Sequence, residues 1–331
     1  MTIENRTEIL FLYEAKDCNP NGDPLDENRP RNDPDTGQIL VTDVRIKRTI
    51  RDYFYYAKGK DILVRDTYDE KGFLQDGKGR AESLDEAAGL TKEDSLAQAI
   101  RKLEACILKN FIDARLFGVT LPITPPSERN KGKKAKEGSI QITGPVQFNG
   151  FSRSLHRVDQ QFVQGTAAFA SKKGTVQKSF REDYLCPYAC IATYGIINEI
   201  ATKTSQLTEE DVGELLEALW YGTASLISRS KIGHQPLFLL LIQSNGKRQI
   251  GNLAGKISLI SSLDDEKIRD QSQYQIDITR LIDAMKYNSK FIVSIDTFQD
   301  HELKFVEKEN IGTFIEVTEK SGLSPAPKSL W

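Results

Sequence analysis

Residues 8–16, EILFLYEAK, set Ile9, Phe11, Tyr13 and Ala15 against Leu10, Leu12 and Glu14 in alternation. A strand shows successive side chains to opposite faces, so both faces of this one are largely apolar. Such a strand belongs inside a sheet covered on both sides. The next 22 residues, DCNPNGDPLDENRPRNDPDTGQ, hold four prolines and two glycines. They cannot be regular structure, and loops this long in compact proteins are functional or disordered. A helix then starts near Thr42, with Thr42 or Asp43 as its cap. Ile46, Ile50, Tyr53, Phe54 and Ala57 form its apolar stripe, and Arg45, Arg48 and Arg51 recur every three residues on another side.

Beyond this unit the pattern changes. Residues 58–90 are acidic, rich in Gly and Asp and weakly periodic, and 92–114 read as a helix with Leu96, Ile100, Leu103, Ile107, Phe111 and Ile112 near one face. Residues 121–138 (LPITPPSERNKGKKAKEG) read as an irregular basic loop, so 58–138 is an insertion. Strand character resumes at 139–149 and breaks at Gly144-Pro145. Residues 159–182 form a polar excursion, read as a hairpin. A β-prone run at 184–198 precedes a helix at 208–227, opened by the capping box Thr208-Glu-Glu-Asp211. Strands are expected at 236–243, 257–261, 290–297 and 312–318, and a helix at 278–287. Without the two insertions the order is β-α-β-β-α-β, an α+β split motif of ferredoxin-like type.

The longest apolar run, Pro236–Ile242, is far short of the roughly 20 residues a membrane-spanning helix needs. The N-terminus is polar and acidic, unlike a secretory signal. Cys18, Cys106, Cys186 and Cys190 are too few and scattered for a disulfide framework and read as reduced thiols. The expected compartment is the cytosol. With 45 basic and 47 acidic residues the net charge is only −2. Yet cations concentrate at 45–58, 129–136 and 171–181, and such segregation creates local anion-attracting fields.

Each chemical motif has two readings. The N-P-N-G-D-P loop at 19–24 is a rigid turn or a functional loop. The arginine row is a solvated helix face or a phosphate-binding one, and Arg in place of Lys favours the planar recognition of phosphate. Phe169, Lys172, Lys173, Lys178, Phe180 and Arg181 interleave rings with cations, as base stacking and phosphate contact require, or form a solvated loop. Ser228-Arg229-Ser230-Lys231 carries the same signal more weakly. Asp17, Asp23, Asp33 and Asp43 are turn formers or hard-cation ligands. His156, His234 and His301 accompany no HExxH, GxSxG or Walker A motif and read as local hydrogen-bonding residues. Nothing calls for a cofactor, a metal or a catalytic residue. The ribonucleoprotein signature of RNA recognition motifs is absent, and QFNGFSRS (147–154) is only faintly like it.

Taken together, FLYEAKDCNPNGDPLDENRPR (11–31), LVTDVRIKRTIRDYF (40–54), DARLFG (113–118), ITGPVQF (142–148) and PYACIATYGIIN (187–198) resemble the backbone subunit of type I CRISPR Cascade complexes. This is the Cas-seven family in its Csd/Csh branch, and the RTIRDY spelling is closer to subtype I-B than I-C. The resemblance implies an RRM-like palm (1–57, 139–158 and 185–320), a helical finger insertion (58–138) and a thumb-like hairpin (159–184); the Pro-rich tail (321–331) reads as disordered from its own residues. It implies a non-catalytic protein that polymerises head-to-tail along CRISPR RNA and presents it to target DNA, beside large, capping and guide-processing subunits. By the same resemblance Arg45, Lys47, Arg48 and Arg51 approach RNA phosphates, with Asn21, Gly22 and Arg31 from the loop and Gly144 from the strand. The thumb set, Phe169, Lys172, Lys178, Phe180 and Arg181, and the pair Arg229 and Lys231 complete the expected RNA-binding residues. Relatives in type III complexes cut target RNA with an acidic loop residue; Asp17, Asp23 or Asp33 would serve in that alternative.

Overall fold

The computed structural model describes residues 3–129, 135–170, 178–245 and 248–327, with side chains throughout except at 166–181 and 327. These residues fall into two compact units. One comprises residues 51–147 and 197–215 with the start of the chain; the other comprises 5–50, 148–196 and the chain from 216 onward.

The second unit is built on a mixed sheet. Its strands are β1 (Arg6–Cys18), β2 (Gln38–Thr42), β3 (Phe151–Arg157), β4 (Gln161–Ala170), β5 (Lys178–Ile197), β6 (His234–Ser244) and β7 (Ile292–Gln299). The spatial order is β7-β6-β1-β5-β3-β2, with the short strand Ala326–Pro327 parallel to β7 at the outer edge and β4 paired to β5. β1 and β6 are antiparallel from Arg6 opposite Ser244 to Ala15 opposite His234, with a register shift between Leu12 and Tyr13. As its alternation requires, β1 is buried on both faces: Ile9, Leu10, Phe11, Leu12 and Tyr13 are all at most 3% exposed. Leu10 and Leu12 join Tyr188, Cys190, Ala192, Leu240 and Ile242 in a core completed by Ile276, Leu281, Met285, Phe305 and Phe314 of the C-terminal layer. That layer adds a small four-stranded sheet and the helix Thr279–Tyr287.

Helix α1 (Asp43–Asp52) follows β2 directly and continues as a π-helical turn at Tyr53–Ala57. Helix α2 (Glu209–Ala224) opens with the capping box read from sequence: Thr208 Oγ1 accepts from Asp211 N at 3.2 Å, and Asp211 Oδ2 accepts from Thr208 N at 3.1 Å.

The first unit packs the helix Leu96–Asn110 on the hairpin of Gly118–Ile123 and Gly138–Thr143. Leu63, Ala99, Leu103, Ile107, Phe111, Leu121 and Ile140 form its core. Ser95 and Gln98 make a capping box at the helix start.

Two expectations are corrected. The strand expected at 312–318 is Asn310–Gly312 and ends at Gly312; Phe314–Lys320 is a helix. Its β-branched, alternating pattern suggests a strand, but Thr313 and Glu316 form a capping box, with Thr313 N donating to Glu316 Oε2 at 2.7 Å, and that start signal prevails. Nor is the whole of 121–138 irregular, because Leu121–Ile123 continues a strand despite Pro122, which stands opposite Ser139. Of 321–331, the described part through 327 ends in the edge strand beside β7.

Candidate nucleic-acid interface

The N-P-N-G-D-P loop is ordered by its own side chains. Asn21 Oδ1 accepts from the Thr42 amide at 2.8 Å and the Thr42 hydroxyl at 2.9 Å, while Thr42 Oγ1 accepts from Arg45 N at 3.3 Å. Asn21 thus ties the loop to the capped start of α1. Gly22 passes so close to Asn28 that a Cβ would lie 2.1 Å from Asn28 Oδ1 and 2.8 Å from the Asn28 backbone oxygen, so any larger residue would force the loop to shift. Asp23 takes Arg31 in a bidentate pair at 2.9 and 3.1 Å. Arg29 lies over the Tyr184 ring, 4.1 Å from its centroid.

A turn at residues 228–234 supports this loop from beneath. Asn19 N donates to Ser230 O and Lys16 N to Gly233 O, each at 2.9 Å. Gly233 comes near enough that a Cβ would meet Lys16 O at 1.8 Å. The Lys231 ammonium donates to the carbonyls of Asn19 and, at 2.9 Å, Pro20. Burial, with the neighbouring charge of Arg45, lowers the Lys231 pKa to about 8. His234 Nδ1 lies 2.6 Å from Lys231 O and 3.6 Å from Cys18 Sγ. Its burial drives the pKa down to about 3, and burial pushes the Cys18 thiol up to about 12.

These shifts carry a pH expectation. A histidine whose folded pKa is depressed adds stability that is complete above its unfolded pKa, near 6.5, and is lost as pH falls toward 3. Between pH 7 and 4.5 the wild-type protein should lose roughly 2 kcal/mol more than His234→Gln, measured as the change in urea midpoint at the two pH values. Equal losses would remove His234 from the account.

The arginine row divides. Arg45 is partly buried and donates to Thr49 Oγ1 at 3.0 Å; Arg48 is exposed. Lys47 pairs with Asp43 at 3.1 Å. Arg51 belongs to the first unit, where its Nε meets the fully buried Asp113 at 2.9 Å and its guanidinium lies over Phe117. Asp113 also accepts from Leu63 N at 2.8 Å and Val64 N at 3.1 Å.

Gly144 stands in the first unit as well. Its backbone packs on Phe117-Gly118, and a Cβ there would lie 2.0 Å from the Phe117 carbonyl carbon. On its Cβ side, Gly144 is therefore packed against the chain itself. Arg229 pairs with Asp183 of β5 at 2.7 Å. Phe169, Lys178, Phe180 and Arg181 have their backbones in β4 and β5, which form a hairpin at 161–185, but their side chains lie outside the described residues, as does Lys172 altogether.

The structure therefore gathers Asn21, Gly22, Arg31, Arg45 and Lys231 around one loop. Three of the aspartates are each paired with a different cation: Asp23 holds Arg31, Asp43 holds Lys47, and Asp33 holds Arg153 at 2.6 Å. The Arg153 hydrogen bond lowers the Asp33 pKa. Among the described residues no group of His, Cys, Asp and Glu is placed to bind a metal. None of their helices is long and apolar enough to cross a membrane.

Sequence reasoning missed three structural partners. Asp113 of DARLFG anchors Arg51, and Arg115 of the same motif chelates Asp211 at 3.0 and 2.7 Å. Glu8, fully buried in β1, accepts from Tyr194 Oη, Ile250 N and Gly251 N at 2.6, 2.6 and 2.8 Å. A carboxylate in so apolar a strand was the available signal.

The sequence pattern of the family described as CRISPR-associated protein Cas7 matches residues 5–279. This chain belongs to the Cas7 family. A CRISPR-associated protein Cas7 of Haloferax volcanii is 31% identical over 317 residues, covering 92% of this chain and 89% of that one. The fold is similar to a chain of a CRISPR RNA-guided surveillance complex, pre-nicking, with a TM-score of 0.53 at 12% identity over 98% of this chain and 96% of that one. The α+β architecture is thus shared with that chain.

Proposed function

We propose that this Cas7 protein is the guide-RNA-binding backbone subunit of a type I Cascade complex, in the Csd/Csh branch and subtype I-B. The observation that carries the reading is the ordered N-P-N-G-D-P loop, with Arg45 and Lys231 gathered around it and Arg48 exposed on the same helix. Copies assemble head-to-tail on CRISPR RNA, since a heterologous contact that does not close yields a helix. The protein holds backbone and shape while base pairing reads target DNA. The large, capping and guide-processing subunits complete the complex, and the role is non-catalytic.

The strand order β6-β1-β5-β3, joined through α1 and α2, supports an RRM-like palm. The hairpin of β4 and β5 fits a thumb and the insertion at 58–138 a finger. Asn21 and Gly22 lie at the base of the loop, beside the start of α1, and Arg48 with Arg45 supplies the phosphate contacts there.

Arg45→Ala and Arg48→Ala are each expected to lower the slope of log affinity against log salt by roughly 0.7 for a single-stranded RNA. A titration series at several salt concentrations measures it, and unchanged slopes would move the RNA elsewhere. The competing reading, a metal-dependent ribonuclease acting through Asp17, Asp23 or Asp33, predicts periodic Mg²⁺-dependent cuts in RNA complementary to the guide.

A further inference from the structure

Lys231 lies 212 residues from Asn19 in sequence, yet its ammonium holds two consecutive carbonyls of the loop. The described residues contain no cis peptide bond. In a trans amide the C=O and N–H point in opposite directions. Drawing the Pro20 carbonyl onto the ammonium therefore turns the Asn21 N–H away from it and fixes which way the Pro20-Asn21 peptide faces. The rest of the turn reinforces this, through the Ser230 and Gly233 carbonyls and the close pass of Gly233.

We propose that Lys231 is a positioning residue for the RNA-binding loop: it does not contact RNA, but orients the Pro20-Asn21 peptide and so presents Asn21 and Gly22 to the guide backbone. This rests on the RNA-binding reading above. Hydrogen bonds from an ammonium are roughly twice as strong as neutral ones, so the charge on Lys231 sets how firmly the Pro20-Asn21 peptide is held. The groups that share its surroundings are Arg45 of α1, Cys18 at the end of β1, Cys186 of β5 and His234 of β6. With its pKa lowered to about 8 by burial and then Arg45, the charge is present at pH 7 and lost as pH rises through that value.

The test is a titration of the purified protein with a CRISPR-length single-stranded RNA at several salt concentrations, for wild type, Lys231→Met, Lys231→Arg and Arg48→Ala. Lys231→Met should bind about tenfold more weakly with an unchanged salt slope, and Lys231→Arg should restore most of the affinity. A direct phosphate contact would instead lower the slope by roughly 0.7, and that result overturns the positioning role. Should Lys231→Met fail to fold, the pH profile decides. Wild-type affinity should fall between pH 7 and 9 while that of Lys231→Arg stays level; parallel profiles overturn the proposal. Full affinity in Lys231→Met beside weakened Arg48→Ala overturns this inference alone. A wild-type protein that binds no RNA overturns the RNA reading and this inference with it.

Discussion

Asp113→Ala is expected to destabilise the first unit by about 4 kcal/mol. The carboxylate is fully buried and accepts from Arg51 Nε, Leu63 N and Val64 N. Removing it strands an arginine that is only 12% exposed and leaves two amides without their acceptor. Asp113→Asn keeps the shape but not the charge and should cost less. Pairing Asp113→Ala with Arg51→Met should recover part of the loss, because a buried ion pair is costly chiefly when one partner is missing. Urea midpoints of the three variants test this. A double variant no more stable than Asp113→Ala would show that the two amides, not the ion pair, need the carboxylate.

Gly144→Ala should be nearly as damaging, at about 3 kcal/mol. The added carbon would lie 2.0 Å from the Phe117 carbonyl carbon and 2.3 Å from Gly118 N, both backbone atoms that cannot swing aside. Gly118 has φ +73°, so it is bound to glycine conformationally as well. Thermal melting at matched concentration reads the effect. A Gly144→Ala variant with wild-type stability and weakened RNA binding would instead make this a place where RNA, not protein, needs the space. The ITGP and DARLFG motifs, 142–145 and 113–118, thus share one explanation: they are the two sides of a single backbone crossing.

What the sequence made legible was local. The doubly apolar β1, the Thr208 capping box, the chain break at Gly144-Pro145 and the hairpin after residue 159 all rest on spacing of a few residues. What it hid was partner choice over long separations. Arg45, Arg48 and Arg51 share one three-residue spacing, each step turning about 60° round the helix, yet that spacing does not say that Arg51 meets a carboxylate 62 residues away while Arg48 is exposed. Lys231 reads as one cation in a short basic cluster, whereas its ammonium is given over to loop carbonyls. The helix at Phe314–Lys320 was missed for a different reason: a strand-like composition outweighed a three-residue cap in the reading, but not in the fold.

The interleaving of the two units also governs how the chain must be made. The first unit draws on residues 51–147 and then on 197–215, so it cannot close until the ribosome has passed the beginning of α2. The second holds 5–50 and 148–196 in waiting until β6 and the C-terminal layer emerge. Vectorial synthesis therefore completes the inserted unit first, while β1, apolar on both faces, has no β6 to pair with. That interval is when such a strand is most open to aggregation. Slowing translation before β6 would lengthen this exposure, and a chaperone that shields β1 would act between the emergence of residues 18 and 234.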